Sequence, residues 1–360
     1  MAYTIIDDPS VYFQMATWTG SDSTDTITFG GNSDLQLDWL WTKSTDNSHS
    51  HALMDTSRIT SGDYLPLFAD TNDVEQTVYD SELQSILSDG FTVGTQPHAG
   101  GDGKNYIGYA WKVNGGSLTT NDASSTGVGS IDSVYQANTT AGISIVTYTG
   151  TGSNGTVAHG LGSAPEVIWF KKRTNDTETW CTYFESMGNA SAGKLDTNEA
   201  FETGSGSLFD STSPTSTVFS IKTSVRVNDN TDTFVAYCFK EIQGYSKFGS
   251  YTGNGNADGP FVYTGFKPAW ILFKATTGTE NWGLFDNTRN TQTGNPRDIY
   301  FTPSTDSANS SESDSVDFLS NGFKWRISSG FRNGDGVKFI YMAFAESPFV
   351  SSKGVPTTAR

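Results

Sequence analysis

Two cysteines, four histidines and 22 lysines or arginines are all that 360 residues contain of these types. Two cysteines, Cys181 and Cys238, are too few for a disulfide framework; they are expected as buried apolar thiols, with a Cys181–Cys238 pairing left open. The shortage of basic residues leaves a formal charge of −17. That argues against a nucleic-acid partner, because phosphate backbones are gripped by basic patches, and equally against an anionic membrane surface. No apolar run approaches the ~20 residues of a membrane-spanning helix, so no membrane insertion is expected. The opening "MAYTIIDDPS" has neither a basic n-region nor an apolar h-region, so no signal peptide is expected.

What is abundant is Thr, Ser, Gly, Asn and Asp, together with 9 Trp, 15 Tyr and 23 Phe. A disordered chain lacks such aromatic content, because it cannot bury enough apolar surface to offset ordering entropy. Short aromatic and β-branched runs between polar turns signal an all-β protein. "TDTITFGG" alternates, and "DWLWTK" and "AWILFK" are apolar runs of strand length. "YIGYAWK", "FVAYCFK" and "FIYMAFA" read as central strands buried on both faces, each preceded by a Gly/Asn/Asp turn. One helix is expected, over Asp73 to Leu87, from Glu82, Leu83, Ile86 and Leu87 at helical spacing.

These runs repeat. Trp18-Thr19-Gly20, Tyr148-Thr149-Gly150 and Tyr251-Thr252-Gly253 each open a stretch that ends in an apolar run closed by lysine. From the glycine to that lysine is 23 residues in the first copy (Gly20 to Lys43) and 21 in the others (Gly150 to Lys171, Gly253 to Lys274). Further on, Phe91, Phe219 and Phe323 precede Trp111, Phe239 and Phe344 by 20, 20 and 21 residues. Anchors in one order at near-constant spacing predict three tandem homologous β-sandwich (jelly-roll-like) domains, residues 12–116, 143–245 and 246–350. About 100 residues is long enough for each to bury a core. Residues 1–11 are an N-terminal arm, free to dock or to add a strand, and 351–360 a C-terminal tail. Residues 117–142, rich in Gly, Ser and Thr, read as a linker on which the first unit hinges.

Chemistry is harder to find. GxSxG, HExxH, Walker and CxxC patterns are all missing, and four histidines cannot give each of three units a triad member. No catalytic residue and no cofactor is therefore assigned. The pair with metal-ligand spacing is His49 and His51, which on a strand would face one side. Against that, eight residues beyond Lys43, Lys172 and Lys274 stand His51, Trp180 and Trp282, so His51 fills an aromatic place of the repeat. Asn228, Asp229, Asn230 and Asp232 could offer oxygens to Ca²⁺, but without EF-hand spacing they read as a turn. Asp55 and Arg58 match Asp286 and Arg289 in spacing, as charge pairs locking a loop, while the second unit has "FESM" there. Aromatics that recur belong to the fold; the non-recurring Trp41, Trp325 and Phe331 are the candidates for stacking on a sugar. Specificity is expected in the stretches that vary, 61–87, 189–213 and 304–315.

"GYSKFGSYTGNGNADGPFVYTGFKPAWILFK", "DFLSNGFK" and "IYMAFAESPF" resemble a repeat found in virion structural proteins of tailed bacteriophages, notably marine ones, where it sits in tail fibre and tail proteins. The match covers the second and third units well and the first more loosely. The resemblance implies a non-enzymatic structural protein on the virion surface, foremost a tail fibre or appendage that contacts the host. Its partners would be other virion proteins, further copies of itself as a homo-oligomer, and a host surface glycan or protein. Two alternatives stay open: a capsid decoration protein, and a carbohydrate-binding or carbohydrate-active β-sandwich protein.

Overall fold

Period-2 alternation in three runs lays out the centre of the molecule. Along Asn105–Trp111, Thr233–Phe239 and Lys338–Pro348, alternate side chains enter one shared core: Ile107, Tyr109 and Trp111; Val235, Tyr237 and Phe239; Ile340, Met342 and Phe344. The residues between them face separate cores on the opposite side, Ala110 in one, Phe234, Ala236 and Cys238 in another, Phe339, Tyr341 and Ala343 in a third. The computed structural model describes residues 3–77, 82–204, 206–289 and 294–357; the chain is all-β, with antiparallel sheets and, among the described residues, only single-turn helices.

Three sheets share one strand order. In the first, Phe13–Thr19 lies beside Asn105–Trp111, then Trp39–Ser44, then Ala52–Asp55. The second repeats this with Ile143–Thr149, Thr233–Phe239, Val167–Lys172 and Cys181–Phe184, and the third with Ser246–Thr252, Lys338–Pro348, Phe266–Ala275 and Gly283–Asp286. The register sets Lys43, Lys171 and Lys274 in one place, opposite Ile107, Val235 and Ile340. Lys172 therefore does not match Lys43; the following loop of the second sheet is one residue longer, and His51, Trp180 and Trp282 still coincide.

The aromatic-Thr-Gly step has a steric reason. Trp18, Tyr148 and Tyr251 stack on Tyr106, Phe234 and Phe339 at 5.6, 5.3 and 5.0 Å and meet Phe91, Phe219 and Phe323 edge-on. The polar tip of each ring donates to a backbone carbonyl, of Ala99, Val227 and Arg332. The glycine that follows lies so close to the turn before the last strand that a Cβ would strike the carbonyl oxygen of Gly101, Asp229 or Gly334.

The three sheets turn one face each toward the others. Trp39 stacks on Trp111 at 4.4 Å and on Tyr237 at 4.8 Å; Trp111 meets Trp270 edge-on at 5.9 Å; Phe13 stacks on Phe344 at 5.4 Å. Segments in and beside the stretches predicted to vary lock this arrangement cyclically. Phe68 O accepts from Trp180 Nε1 at 2.8 Å, Lys194 O accepts from Trp282 Nε1 at 2.7 Å, and Phe301 packs edge-on to His51 at 5.3 Å. Main-chain bonds follow the same cycle: Glu178 N to Asn72 O, Phe201 N to Thr276 O, Asn309 N to Thr45 O. Each insert thus caps the next sheet, and the third closes on the first.

Several expectations are corrected. The stretch read as a linker builds Thr119–Asn121, a helical turn Ala123–Thr126 capped by Asp122, and Ser133–Asn138, which pairs antiparallel with Ile143–Thr149 at the edge of the second sheet. Strand pairing needs backbone groups more than apolar side chains, so a Ser/Thr-rich composition did not reveal it. The first unit is consequently not hinged: Gln136 and Asn138 donate to Thr56, Ser57 and Val113. In place of the expected helix, Leu83–Leu87 pairs with Gly90–Val93, and residues 78–81 lie outside the described residues. The arm docks: Ile6 is buried in the shared core and Tyr3 donates to Gly265 O. Cys181 and Cys238 are free, buried thiols.

Lys43, Lys171 and Lys274 are buried, and each ammonium is clamped by two carbonyls, those of Ser44 and Asn47, Asn72 and Glu178, Asn198 and Ala275. Burial pushes all three down to about 8. In the unfolded chain they hold their proton to 10.5, so between those values the unfolded state binds more protons and stability rises with pH. Against Lys171→Met, the wild-type advantage in unfolding free energy is expected to grow by up to roughly 3 kcal/mol across that window. Chemical denaturation of both proteins from pH 8 to 10.5 checks it; a flat or falling difference contradicts the burial of the charge.

Candidate binding surface

The residues predicted for sugar stacking are placed inside. Trp41 is fully buried and donates Nε1 to His51 Nδ1 at 3.1 Å; Trp325 is fully buried between Tyr251 and Phe273; Phe331 is half-buried between Phe273 and Tyr300. Neither tryptophan presents a ring face to solvent. The register shows that Trp41 does recur, as Trp169 in the second sheet with Leu272 in the third, while Trp325 is a larger filling of the place that Val93 and Ile221 take in the other two.

The histidine pair is likewise separated. His51 lies in the shared core, where burial holds its imidazole well below the usual range and therefore neutral, while His49 packs against His98 at 5.8 Å. Both precede the Ala52–Asp55 strand rather than lying on one, so the alternation that would aim them at one ion does not apply. Among the described residues no group of three or more His, Cys, Asp or Glu is arranged to hold a metal. The Asn228 turn is closed by its own bonds: Asn228 donates to Ser153 O and Lys222 O, and Lys172 neutralises Asp229 and Asp232 at 2.9 and 2.6 Å.

What does reach solvent is an aromatic pair that the sequence reading passed over. Phe261 and Tyr263 are 45% and 52% exposed at the two ends of the strand Phe261–Tyr263, with Val262 between them pointing inward. Alternation puts both rings on one face. This strand is the outermost of an eight-stranded sheet and pairs only with Gly322–Trp325. Lys324 stands directly opposite Phe261, held by Gly259 O at 2.9 Å and by Asp258 at 2.7 Å. Gly322 leaves the room that the Phe261 ring leans into; a Cβ there would touch it. At the other end the Tyr263 hydroxyl shares a 2.9 Å hydrogen bond with that of Tyr3, whose phenol is pushed up by burial and by Tyr263. Phe349 N also donates to Gly265 O, so both ends of the described chain meet beside this strand.

The recurrence supplies an internal control. Ile27, Val157 and Val262 occupy one place, opposite Phe91, Phe219 and Phe323. Beside it, Thr26 and Thr28 of the first sheet are exposed, whereas in the second sheet Thr156 is half-buried and Ala158 is buried. The first sheet therefore manages with small exposed residues where the third carries Phe and Tyr. Aligning "TIT", "TVA" and "FVY" on their central aliphatic residue would have exposed this from sequence. Two flat rings beside an ammonium and a phenol make a platform for stacking on a ring-shaped or apolar ligand surface, with hydrogen-bonding groups at each end.

Residues 8–348 match a family model described as "Domain of unknown function (DUF7483)". No curated protein and no solved structure matches the chain.

Proposed function

The chain belongs to the DUF7483 family, and we propose that it is a non-enzymatic structural protein on the surface of a tailed phage virion, a tail fibre or appendage component that contacts the host. In this reading the chain is three tandem homologous β-sandwich domains joined around one core, and the third domain carries the contact surface. Phrases such as "DFLSNGFK" and "IYMAFAESPF" support the virion assignment by their resemblance to phage structural repeats. The observation that carries the host-contact role is the Phe261–Tyr263 pair, exposed where the equivalent strand of the first sheet has exposed threonines. Exposed aromatics that the fold does not require are retained for binding, and aromatic anchors dominate contact energetics. Many copies on a particle would turn a weak contact into firm attachment.

The double variant Phe261→Thr/Tyr263→Thr, which copies the first sheet, is expected to lose at least about tenfold in adsorption of the purified chain to host cells. Its thermal stability should stay within about 0.5 kcal/mol of wild type. Unchanged adsorption would remove the contact role from this surface. Immunogold labelling of intact particles tests the location: label at the tail supports the appendage reading, and label spread over the capsid replaces it with decoration.

A further inference from the structure

The edge of the second sheet shows what an unpaired first strand of this fold accepts. Ser133–Asn138 lies antiparallel on Ile143–Thr149, with Gln136 opposite Ile145. Gln136 Nε2 reaches across the seam to Thr56 Oγ1 at 2.7 Å and Ser57 Oγ at 2.6 Å, and Ile145 is completely buried. In the first sheet the corresponding strand, Phe13–Thr19, is outermost. The register equates Met15 with Ile145 and Phe248, opposite Tyr109, Tyr237 and Met342. It also equates Asn287 and Thr288 with Thr56 and Ser57, one and two residues beyond Asp286 and Asp55. In the third sheet the Phe248 ring closes this place, packing on Phe239 and Phe344. In the first sheet Met15 is only half-buried. It lines a cavity of about 430 Å³ together with Phe13, Ala269, Asn287 and Thr288. A separate cavity of about 320 Å³ is lined by Thr17 and Thr19 together with Thr45, Asn105 and Asn309.

We infer that the outer edge of Phe13–Thr19 is a docking groove for an extended segment of a partner protein, added antiparallel as Ser133–Asn138 is added to the second sheet. An amide side chain of that segment, opposite Met15, bonds Asn287 and Thr288 as Gln136 bonds Thr56 and Ser57. Main-chain hydrogen bonds to the strand edge supply the affinity and this side-chain slot the selectivity. The rim carries the carboxylates of Asp8 and of Glu346, the latter paired with Lys267 at 2.7 Å and accepting from Asn287 at 2.7 Å, on a chain of net charge −17. The segment is therefore neutral or basic and comes from a different protein, since a second copy brings the same strongly negative charge.

The probe is a labelled, end-blocked peptide of residues 133–140, SVYQANTT, titrated into the full chain by fluorescence anisotropy. Saturable binding is expected, weakened about tenfold when the peptide carries Gln136→Leu or the chain Thr288→Val, the cost of one lost hydrogen bond set. Methylating alternate peptide nitrogens should abolish it. Met15→Phe copies the third sheet's solution and should close the groove while leaving thermal stability and host-cell adsorption unchanged, so the groove and the Phe261–Tyr263 surface are tested separately. Equal peptide binding by Met15→Phe, or no saturable binding at all, overturns the inference. Self-association in sedimentation that Met15→Phe abolishes would also overturn it, by assigning the groove to a second copy.

Discussion

Trp111→Ala is expected to lower the unfolding free energy by ~3–5 kcal/mol and to do so without separating the molecule into parts. Trp111 is fully buried, stacks on Trp39, and meets Phe13, Trp270 and Phe344, so its ring touches strands from the first and third sheets. Through Trp39 it is one contact from Tyr237, Phe239 and Trp169 of the second. A cavity there removes packing from a core that all three sheets share, and close-packed interiors relax only partly around such a gap. Phe239→Ala and Phe344→Ala, at the equivalent places, should behave alike. Calorimetry decides the matter: a single transition shifted downward is expected for each variant. Two or more transitions, with only one moved, would mean that the sheets unfold independently and that the shared core contributes little.

Arg58→Met is the second large effect. Arg58 and Asp55 are both fully buried, bonded at 2.6 Å. Asp55 also accepts from Tyr237 at 2.7 Å across the seam with the second sheet. Arg58 further donates to the carbonyls of Leu53 and Leu65 and to Glu75 at 2.6 Å. Removing the guanidinium leaves the Asp55 carboxyl buried and without its counter-ion, at a cost of ~3–5 kcal/mol. The seam between the third sheet and the first repeats the same device, Tyr109 on Asp286 at 2.8 Å and Asp286 on Arg289 at 2.5 Å. The remaining seam does without it: Phe184 and Met187 stand where aspartate and arginine are, and Met342 where tyrosine is. An apolar trio and an ionic trio thus fill one kind of place. The triple variant Asp55→Phe/Arg58→Met/Tyr237→Met, which copies that seam, is therefore expected to return to within ~1–2 kcal/mol of wild type. Glu75 keeps Arg173 as its partner at 2.7 Å in both variants. Urea titrations of wild type, single and triple variants test this; a triple variant less stable than Arg58→Met would show that the trios are not interchangeable.

The charge pairs also show where reading the chain alone succeeds and stops. Asp55 with Arg58 and Asp286 with Arg289 were legible as matched pairs, because both partners lie three residues apart. The tyrosine that completes each trio was not, since Tyr237 is 182 residues from Asp55 and Tyr109 177 from Asp286. Local patterns likewise foretold the strands 105–111, 233–239 and 338–348 and their two buried faces, which depend on period-2 alternation alone. The glycine of each aromatic-Thr-Gly step was legible as a recurrence, but its reason, a turn some 80 residues away, was not. The Leu83–Leu87 strand was misread because Leu83, Ile86 and Leu87 fit a helix as well as a hairpin, and only pairing with Gly90–Val93 chooses between them.

By itself, then, the sequence determined that this chain is all-β, that its strands recur in three sets, and which alternate residues of a strand share a face. Only the tertiary structure decided that the three sets share one core, that inserts cap neighbouring sheets in a cycle, and that a Ser/Thr-rich connector is an edge strand. It also decided which aromatics are inside: Trp41 and Trp325 are buried and Phe261 and Tyr263 are exposed. The reason is physical. Alternation says which side of a strand a residue faces, but burial depends on what distant segment covers that side, and here the covering segments come from tens to hundreds of residues away.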